Sequence, residues 1–344
     1  MSGYFRVRYG EDFALLDTRV QKAWFAVFSL ALLSYPFFAS ALWLDLANQV
    51  LLASIGAVAL MLLTGYAGQI SLGHAGLLAA GAFTTGILFK EFGASVWLTL
   101  PASAAVGAAL GLIFGLPSLR LRGLYLAVST LALHFIVTFA GGEYETRRGF
   151  STGIVIEVPL ADPRNWYFVL LAAAAATLLF SLNLLRSRTG RAWRAIHGRE
   201  AVAEALGISV HRAKLSAFVI SSTLTAVSGC LFAYYRGFVS AEAFSLYLTI
   251  QYVAMVIIGG MGSLLGAILG TVFVVLFPYI IDAATALLGI AGRLASVIFA
   301  VNYAAFGLVM ILFLVFEPQG LVGLWRRMQS WFLLWPFKQR PLSR

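Results

Sequence analysis

Ten apolar stretches, each close to the length of a bilayer crossing, dominate this chain and limit what it can become. A membrane-crossing helix needs about 20 predominantly apolar residues. Such runs occupy 23–44, 48–65, 71–89, 95–116, 123–141, 165–185, 214–235, 245–260, 264–288 and 295–316. Composition bears this out where it matters: 61% of the 344 residues are apolar and only 11% charged, against about 25% charged in an ordinary soluble domain. There is too little polar side chain to coat a soluble globule. The expected fold is all-α, a polytopic membrane protein of about ten transmembrane helices. Intrinsic disorder and collagen-like repeats are excluded by the same arithmetic.

The net charge of +10 becomes an orientation signal once the spans are drawn. With both termini in the cytoplasm, 18 of the 24 Lys and Arg lie inside, in 1–22, 120–122, 186–214 and 326–344. The other six (Lys90, Arg147, Arg148, Arg164, Arg236 and Arg293) lie outside. That asymmetry fits the positive-inside rule and an even number of spans, and it removes the need for a nucleic-acid partner. Ala39-Ser40-Ala41 has the form of a signal-peptide cleavage site. The preceding polar segment is long, however, and carries Glu11, Asp12 and Asp17, so cleavage is not expected. The expected organisation is an interfacial or cytoplasmic arm at 1–22, a transmembrane domain at 23–316, and a cytoplasmic or interfacial basic tail at 317–344. In that tail Trp325, Trp331 and Trp335 stand beside Arg326, Arg327 and Lys338, a mixture suited to lipid headgroups.

Several chemistries are missing. Cys230 is the only cysteine, and no two of the four histidines (74, 134, 197, 211) stand three or four apart, so no metal site is expected. No Gly-Lys-Ser/Thr phosphate loop, G-x-S-x-G elbow or H-E-x-x-H helix occurs, so the chain offers no catalytic residues and no ATP site of its own. The span interiors are nearly free of the ionisable groups that a proton or sodium relay needs; Asp45 and Asp282 fall near outer span ends. This disfavours an ion-coupled carrier.

Three segments do not read as plain spanning helices. The first is Gly65-Tyr66-Ala67-Gly68-Gln69-Ile70-Ser71-Leu72-Gly73-His74-Ala75-Gly76, followed by Gly81. Backbone that leaves a helix at membrane depth must be satisfied by protein or by a water-filled cavity, and such breaks often line a pathway. The glycines, Gly68 and Gly73 among them, suit close helix packing; Gln69, Ser71 and His74 are pathway or gate candidates. The second is Gly259-Gly260-Met261-Gly262-Ser263, continuing to Gly266 and Gly270, and it too reads as packing; Gly107, Gly111 and Gly115 form a similar run. The third is the long loop 186–214, with two short helices expected at 191–197 and 200–206, separated at Gly198 and closed by Gly207. A merely solvated loop has no use for Trp193, Ile196, Leu206 and Ile208, so this loop is expected to dock a cytoplasmic partner. The mixed charges of 142–163 suit either docking or solvation.

The first of these segments resembles a signature of ABC importer permeases of the branched-chain amino-acid type, closer to the LivM-type subunit than to its LivH-type partner. Four further segments agree in order: 120–132, 187–196 with 200–207, 259–266, and Glu317-Pro318-Gln319-Gly320-Leu321. The resemblance covers about 48–324. It implies a type II importer fold in the bacterial inner membrane and pairing with a homologous LivH-type permease. It also implies two cytoplasmic ATPases, which bind the ATP and magnesium, and a periplasmic substrate-binding protein. The loop matching 187–208 is then the ATPase-coupling segment, with Gly190, Arg194, Glu200, Ala203, Glu204 and Gly207 as coupling residues. One departure stands out. A Thr-Gly-Gly-x-x-Gly run is common in the family after the fifth helix; here the stretch reads Arg148-Gly149-Phe150-Ser151-Thr152-Gly153. Thr152 is therefore a pathway candidate, and specificity is open to urea, short amides or other amino acids.

Overall fold

The computed structural model describes residues 19–118, 123–150, 153–160, 162–287, 298–317 and 319–334. Thirteen α-helices carry the fold among them. In chain order they are α1 (Arg19–Phe38), α2 (Ala41–Leu60), α3 (His74–Phe92), α4 (Val96–Ser118), α5 (Leu124–Arg148), α6 (Pro163–Arg186), α7 (Arg188–Gly198), α8 (Glu200–Ala205), α9 (Val210–Arg236), α10 (Leu246–Gly259), α11 (Leu264–Leu287), α12 (Ile298–Phe316) and α13 (Gly320–Leu334).

Each of the ten apolar stretches falls on one of these helices, with two corrections. The first stretch ends early: Pro36 sits in the last turn of α1, and the chain breaks at Ala39–Ser40. A proline costs the helix a backbone donor and crowds the preceding turn. The supposed link at 45–47 is helical instead, part of α2, where the Asp45 carboxylate accepts from Gln49 Nε2 at 2.7 Å and from the Tyr235 hydroxyl. The second correction concerns number. Among the described residues, six helices are long and apolar enough to cross a membrane on their own, or seven if α12 and α13 form one bent span. The 14-residue α10 reaches only about 21 Å at 1.5 Å per residue, short of a hydrocarbon core of about 30 Å.

The bundle centres on α2 and α9, the most buried of the six. Backbones approach closely there because small residues leave room. A side chain at Gly81 of α3 would run into the Ala226 carbonyl of α9, and one at Gly229 of α9 into the Leu78 carbonyl of α3. Gly107, Gly111 and Gly115 of α4 face α9 in the same way. One element has no helical counterpart. Ile154–Val155 (β1) pairs antiparallel with Phe238–Val239 (β2), in register Ile154↔Val239 and Val155↔Phe238. These two strands and a 3₁₀ turn at Ala241–Phe244 close one end of the bundle.

That end is tied by polar contacts. Arg148 pairs with Glu91 at 2.8 Å, Tyr144 donates to the same carboxylate at 2.6 Å, Glu145 accepts from the Ala241 amide at 3.2 Å, and Asn48 donates to the Pro163 carbonyl at 3.1 Å. Much of the mixed charge in 142–163 is therefore internal pairing. Residues 142–148 belong to α5 and do not form a free loop.

Candidate functional site

At the opposite end, α2 does not stop cleanly. It widens into a π turn over Met61–Tyr66 and then leaves helical geometry until His74. Gly68 makes the exit possible with φ +70°, a conformation that costs glycine nothing and other residues a good deal. Much of the freed backbone is hydrogen-bonded within the protein, as membrane depth favours. Ala67 N bonds Leu62 O at 3.2 Å and Gln69 N bonds Leu63 O at 3.1 Å. Thr130 Oγ1 accepts from Leu72 N at 2.9 Å, Thr249 Oγ1 from Ala75 N at 3.0 Å, and Ser71 Oγ from Gly73 N at 3.3 Å. Gln69 Nε2 donates to the Lys214 carbonyl at 3.0 Å. Gln69 and Ser71 are buried, and both work as backbone braces.

Two further breaks meet this one. Gly260 (φ +111°) and Gly262 (φ +81°) open the turn between α10 and α11, and Gly320 (φ +64°) starts α13. The Gly262 amide donates to Met61 Sδ at 3.3 Å. A side chain at Gly65 would strike the Gly262 amide, one at Gly260 the Gln319 carbonyl, and one at Gly320 the Ile258 carbonyl. Gly259 and Gly266 pack backbone to backbone where α10 and α11 part, and Gly73 lies against the Thr130 carbonyl of α5. Of the series Gly262, Gly266 and Gly270, only the last two lie on a helix; Gly262 belongs to the turn. The three interruptions, far apart in sequence, thus form one knot of glycine backbone.

The α7–α8 loop rests on this knot. Ser187 caps α7, accepting from the Gly190 amide at 3.4 Å. Gly190 lies directly on Leu184 and Leu185, and Arg194 donates to the Leu185 carbonyl. Trp193 and Ile196 turn inward and are buried. The Trp193 indole donates to Ala213 O at 3.0 Å and Ser216 Oγ at 3.1 Å. These two side chains hold the loop in place and offer nothing to a partner. The helix break falls at the extended Arg199; Gly198 is the last residue of α7. Glu200 turns toward Lys214 in an ion pair, and Ala203 is buried. Gly207, at φ +81°, closes α8 with Gly207 N to Glu204 O at 2.9 Å and Ile208 N to Ala203 O at 3.0 Å, a left-handed C-terminal stop. The outward surface is Val202, Glu204, Ala205 and Leu206, all exposed. His197, itself exposed, lies against Gly68, so the loop touches the break in α2.

A cleft of about 530 Å³ lies nearer the opposite end, among α2, α9, α10, α11 and α12. Gln69, Ser71 and His74 do not line it. His74 sits behind it, with its ring 4.7 Å from that of Tyr252, which does line the cleft. The imidazole also bonds the Gly56 backbone, and its Nε2 has no hydrogen-bond partner among the described residues. Thr152 lies outside the described residues. No group of three His, Cys, Asp or Glu that could hold a metal occurs among the described residues. The sequence reading does not find the tyrosines of the cleft; they come from four helices, α9, α10, α11 and α12, so no local pattern announces them.

Comparison with known proteins agrees with this architecture. The family described as branched-chain amino acid transport system / permease component matches residues 42–316. The high-affinity branched-chain amino acid transport system permease protein LivM of Salmonella typhimurium is 30% identical over 90% of this chain and 77% of its own length. The LivM protein of Escherichia coli gives the same figures. A probable LivM of Methanocaldococcus jannaschii is 28% identical over 65% of this chain and 67% of its own. No solved structure matches this chain. With the matching region running from the start of α2 to the end of α12, the chain belongs to the family of branched-chain amino acid transport permease components and is a multi-pass membrane protein.

Proposed function

We propose that this chain is one permease subunit of an ATP-driven importer and forms half of the translocation pathway for branched-chain or related amino acids. The single observation that supports this reading most directly is the α7–α8 element: braced from within by Trp193, it exposes Val202, Glu204 and Leu206 to a partner and touches the break in α2 through His197. In the proposed arrangement two cytoplasmic ATPases bind ATP and magnesium and engage α8. A homologous LivH-type permease completes the pathway, and a periplasmic binding protein delivers the substrate. This chain transports and performs no catalysis. It lies in the bacterial inner membrane with both termini and the α7–α8 end in the cytoplasm. The shorter α1, α3 and α10 and the bent α12–α13 pair join the six long spans to give ten crossings. ATP binding brings the ATPases together and moves α8; the helices then shift between outward- and inward-open states with different ligand affinity.

The test is purification of the tagged chain from its native membrane in mild detergent, followed by reconstitution. Recovery with a second permease and two ATPases, and ATP-dependent leucine uptake by the reconstituted complex, is the expected result. Recovery of this chain alone, under conditions that keep a control ABC complex intact, overturns the reading. Uptake by this chain without ATPases would instead assign it to carriers or channels.

A further inference from the structure

The cleft carries a second inference, which rests on the proposed import of amino acids but concerns a site of its own. Its volume falls within the range of about 300–1,000 Å³ usual for small-molecule sites. Its walls are built from aromatic faces: Tyr252 on α10, backed by His74 and lodged against Gly56 of α2, and Tyr247, stacked edge-on against Tyr303 of α12 at 4.5 Å. A groove meant only for lipid chains would be apolar throughout. This one carries a cation on one wall, Arg236 at the end of α9, and an anion on another, Asp282 of α11. Both are exposed, and no ion pair is seen for either among the described residues. The nearby carboxylate Asp45 is, by contrast, already occupied by Tyr235 and Gln49. On α12, Asn302 lines the same cleft with a buried Oδ1 that no donor among the described residues reaches.

A cation, an anion and aromatic faces lining one cleft suit a small zwitterion with an apolar side chain. We propose that this cleft binds such an amino acid within this chain. Arg236 receives the carboxylate, Asp282 the ammonium, and Tyr247, Tyr252 and Tyr303 enclose the side chain. Charge-assisted hydrogen bonds in a largely apolar surround supply the selectivity.

Cys230 is buried and is the only cysteine, so one engineered thiol can report on the cleft. Ala53 lines it from α2. The assembled transporter carrying Ala53→Cys is placed in proteoliposomes and treated with a charged, membrane-impermeant maleimide, with the unsubstituted protein as control. Labelling is expected, slowed about tenfold by leucine at about ten times its dissociation constant, as mass action requires. 4-Methylpentanoate and 3-methylbutylamine carry the same side chain with a single charge each, and neither should protect. Adding Asp282→Asn or Arg236→Gln should leave the label but weaken protection about tenfold or more, the usual consequence of losing a hydrogen bond to a charged group. Absence of labelling, or labelling that leucine, valine and phenylalanine all fail to slow, overturns the proposal, and so does equal protection by the singly charged analogues. Should Ala53→Cys not assemble, Leu248→Cys on α10 serves as the reporter. Leucine uptake without protection rejects this site and leaves the importer reading standing; protection without uptake does the reverse.

Discussion

Replacing Trp193 tests whether α7 is an anchored lever. The indole is fully buried and donates to both Ala213 O and Ser216 Oγ. Trp193→Ala removes the ring and leaves a cavity, a change worth about 3–5 kcal/mol in well-packed sites. Trp193→Phe keeps most of the packing and loses the donor. Ser216 Oγ still donates to Ala213 O at 2.8 Å, so the loss is held to about 1 kcal/mol. Because every 1.4 kcal/mol is tenfold, the detached population of α7 rises about 10²–10³-fold in the first variant and about fivefold in the second. Arg188, Arg191, Arg194 and Arg199 are all exposed on or beside α7. Trypsin applied to inside-out vesicles reads that population directly, since cleavage follows the open fraction when opening is fast. The expected order is alanine, then phenylalanine, then wild type, with the alanine variant limited only by the rate of the free segment. ATP-driven uptake should fall in the same order. Equal trypsin resistance and equal uptake in Trp193→Ala and wild type would refute the anchoring argument.

Three further outcomes follow from the same geometry. Gly207→Leu forces a branched side chain into φ +81°, a strain of about 1–3 kcal/mol, while no atom stands within 4 Å of the new Cβ; uptake is expected to be lost with membrane insertion intact, and normal uptake would remove Gly207 from coupling. His74→Ala withdraws the support behind Tyr252; a raised KM for uptake at unchanged assembly is expected, and unchanged transport and ATPase kinetics would leave His74 as packing alone. Gln69→Ala and Glu200→Gln act on opposite sides of Lys214, one at its carbonyl and one at its ammonium; a double-mutant cycle on uptake should show a coupling of about 0.5–3 kcal/mol, and simple additivity would mean that the break in α2 and the loop do not communicate through this residue.

What could be read in the sequence was what a single stretch of chain decides. Apolar length locates the helices, and glycine marks the places where three of them are interrupted. Gly207 ends α8 because the left-handed position there belongs to the local backbone. Even the inward face of α7 was legible in principle. Gly190, Trp193 and Ile196 recur every three residues, which is the mark of a buried stripe; read only as apolar residues in a polar loop, Trp193 and Ile196 were instead assigned to docking. The π turn, the two-residue strands and the cleft were not legible. Strands of two residues are too short to show alternation. Asp45 finds its partner in Tyr235, almost two hundred residues away. The cleft draws its tyrosines from helices that meet only after folding.

The position of the knot accounts for why so much glycine is concentrated here. A rigid helix carried through 61–74 would transmit force along its own axis only. Instead, α2 is interrupted where His197 of the loop presses on Gly68, where Gly262 reaches Met61, and where Gly260 meets the start of α13. The first is ring against backbone and the last backbone against backbone, so little flexible side chain absorbs a displacement there; only the Met61 thioether gives the second contact some play. Close-packed contacts of this kind pass strain on. The freed amides are bonded to Thr130 of α5 and Thr249 of α10, so a shift of 65–74 is shared with both helices. Tyr252 lies on α10, three residues beyond Thr249, with His74 at its back and the cleft before it. The short path from α7 through Gly68 and His74 to Tyr252 therefore joins the proposed docking end of the molecule to the proposed ligand cleft, and every link in it is one that the glycine breaks permit.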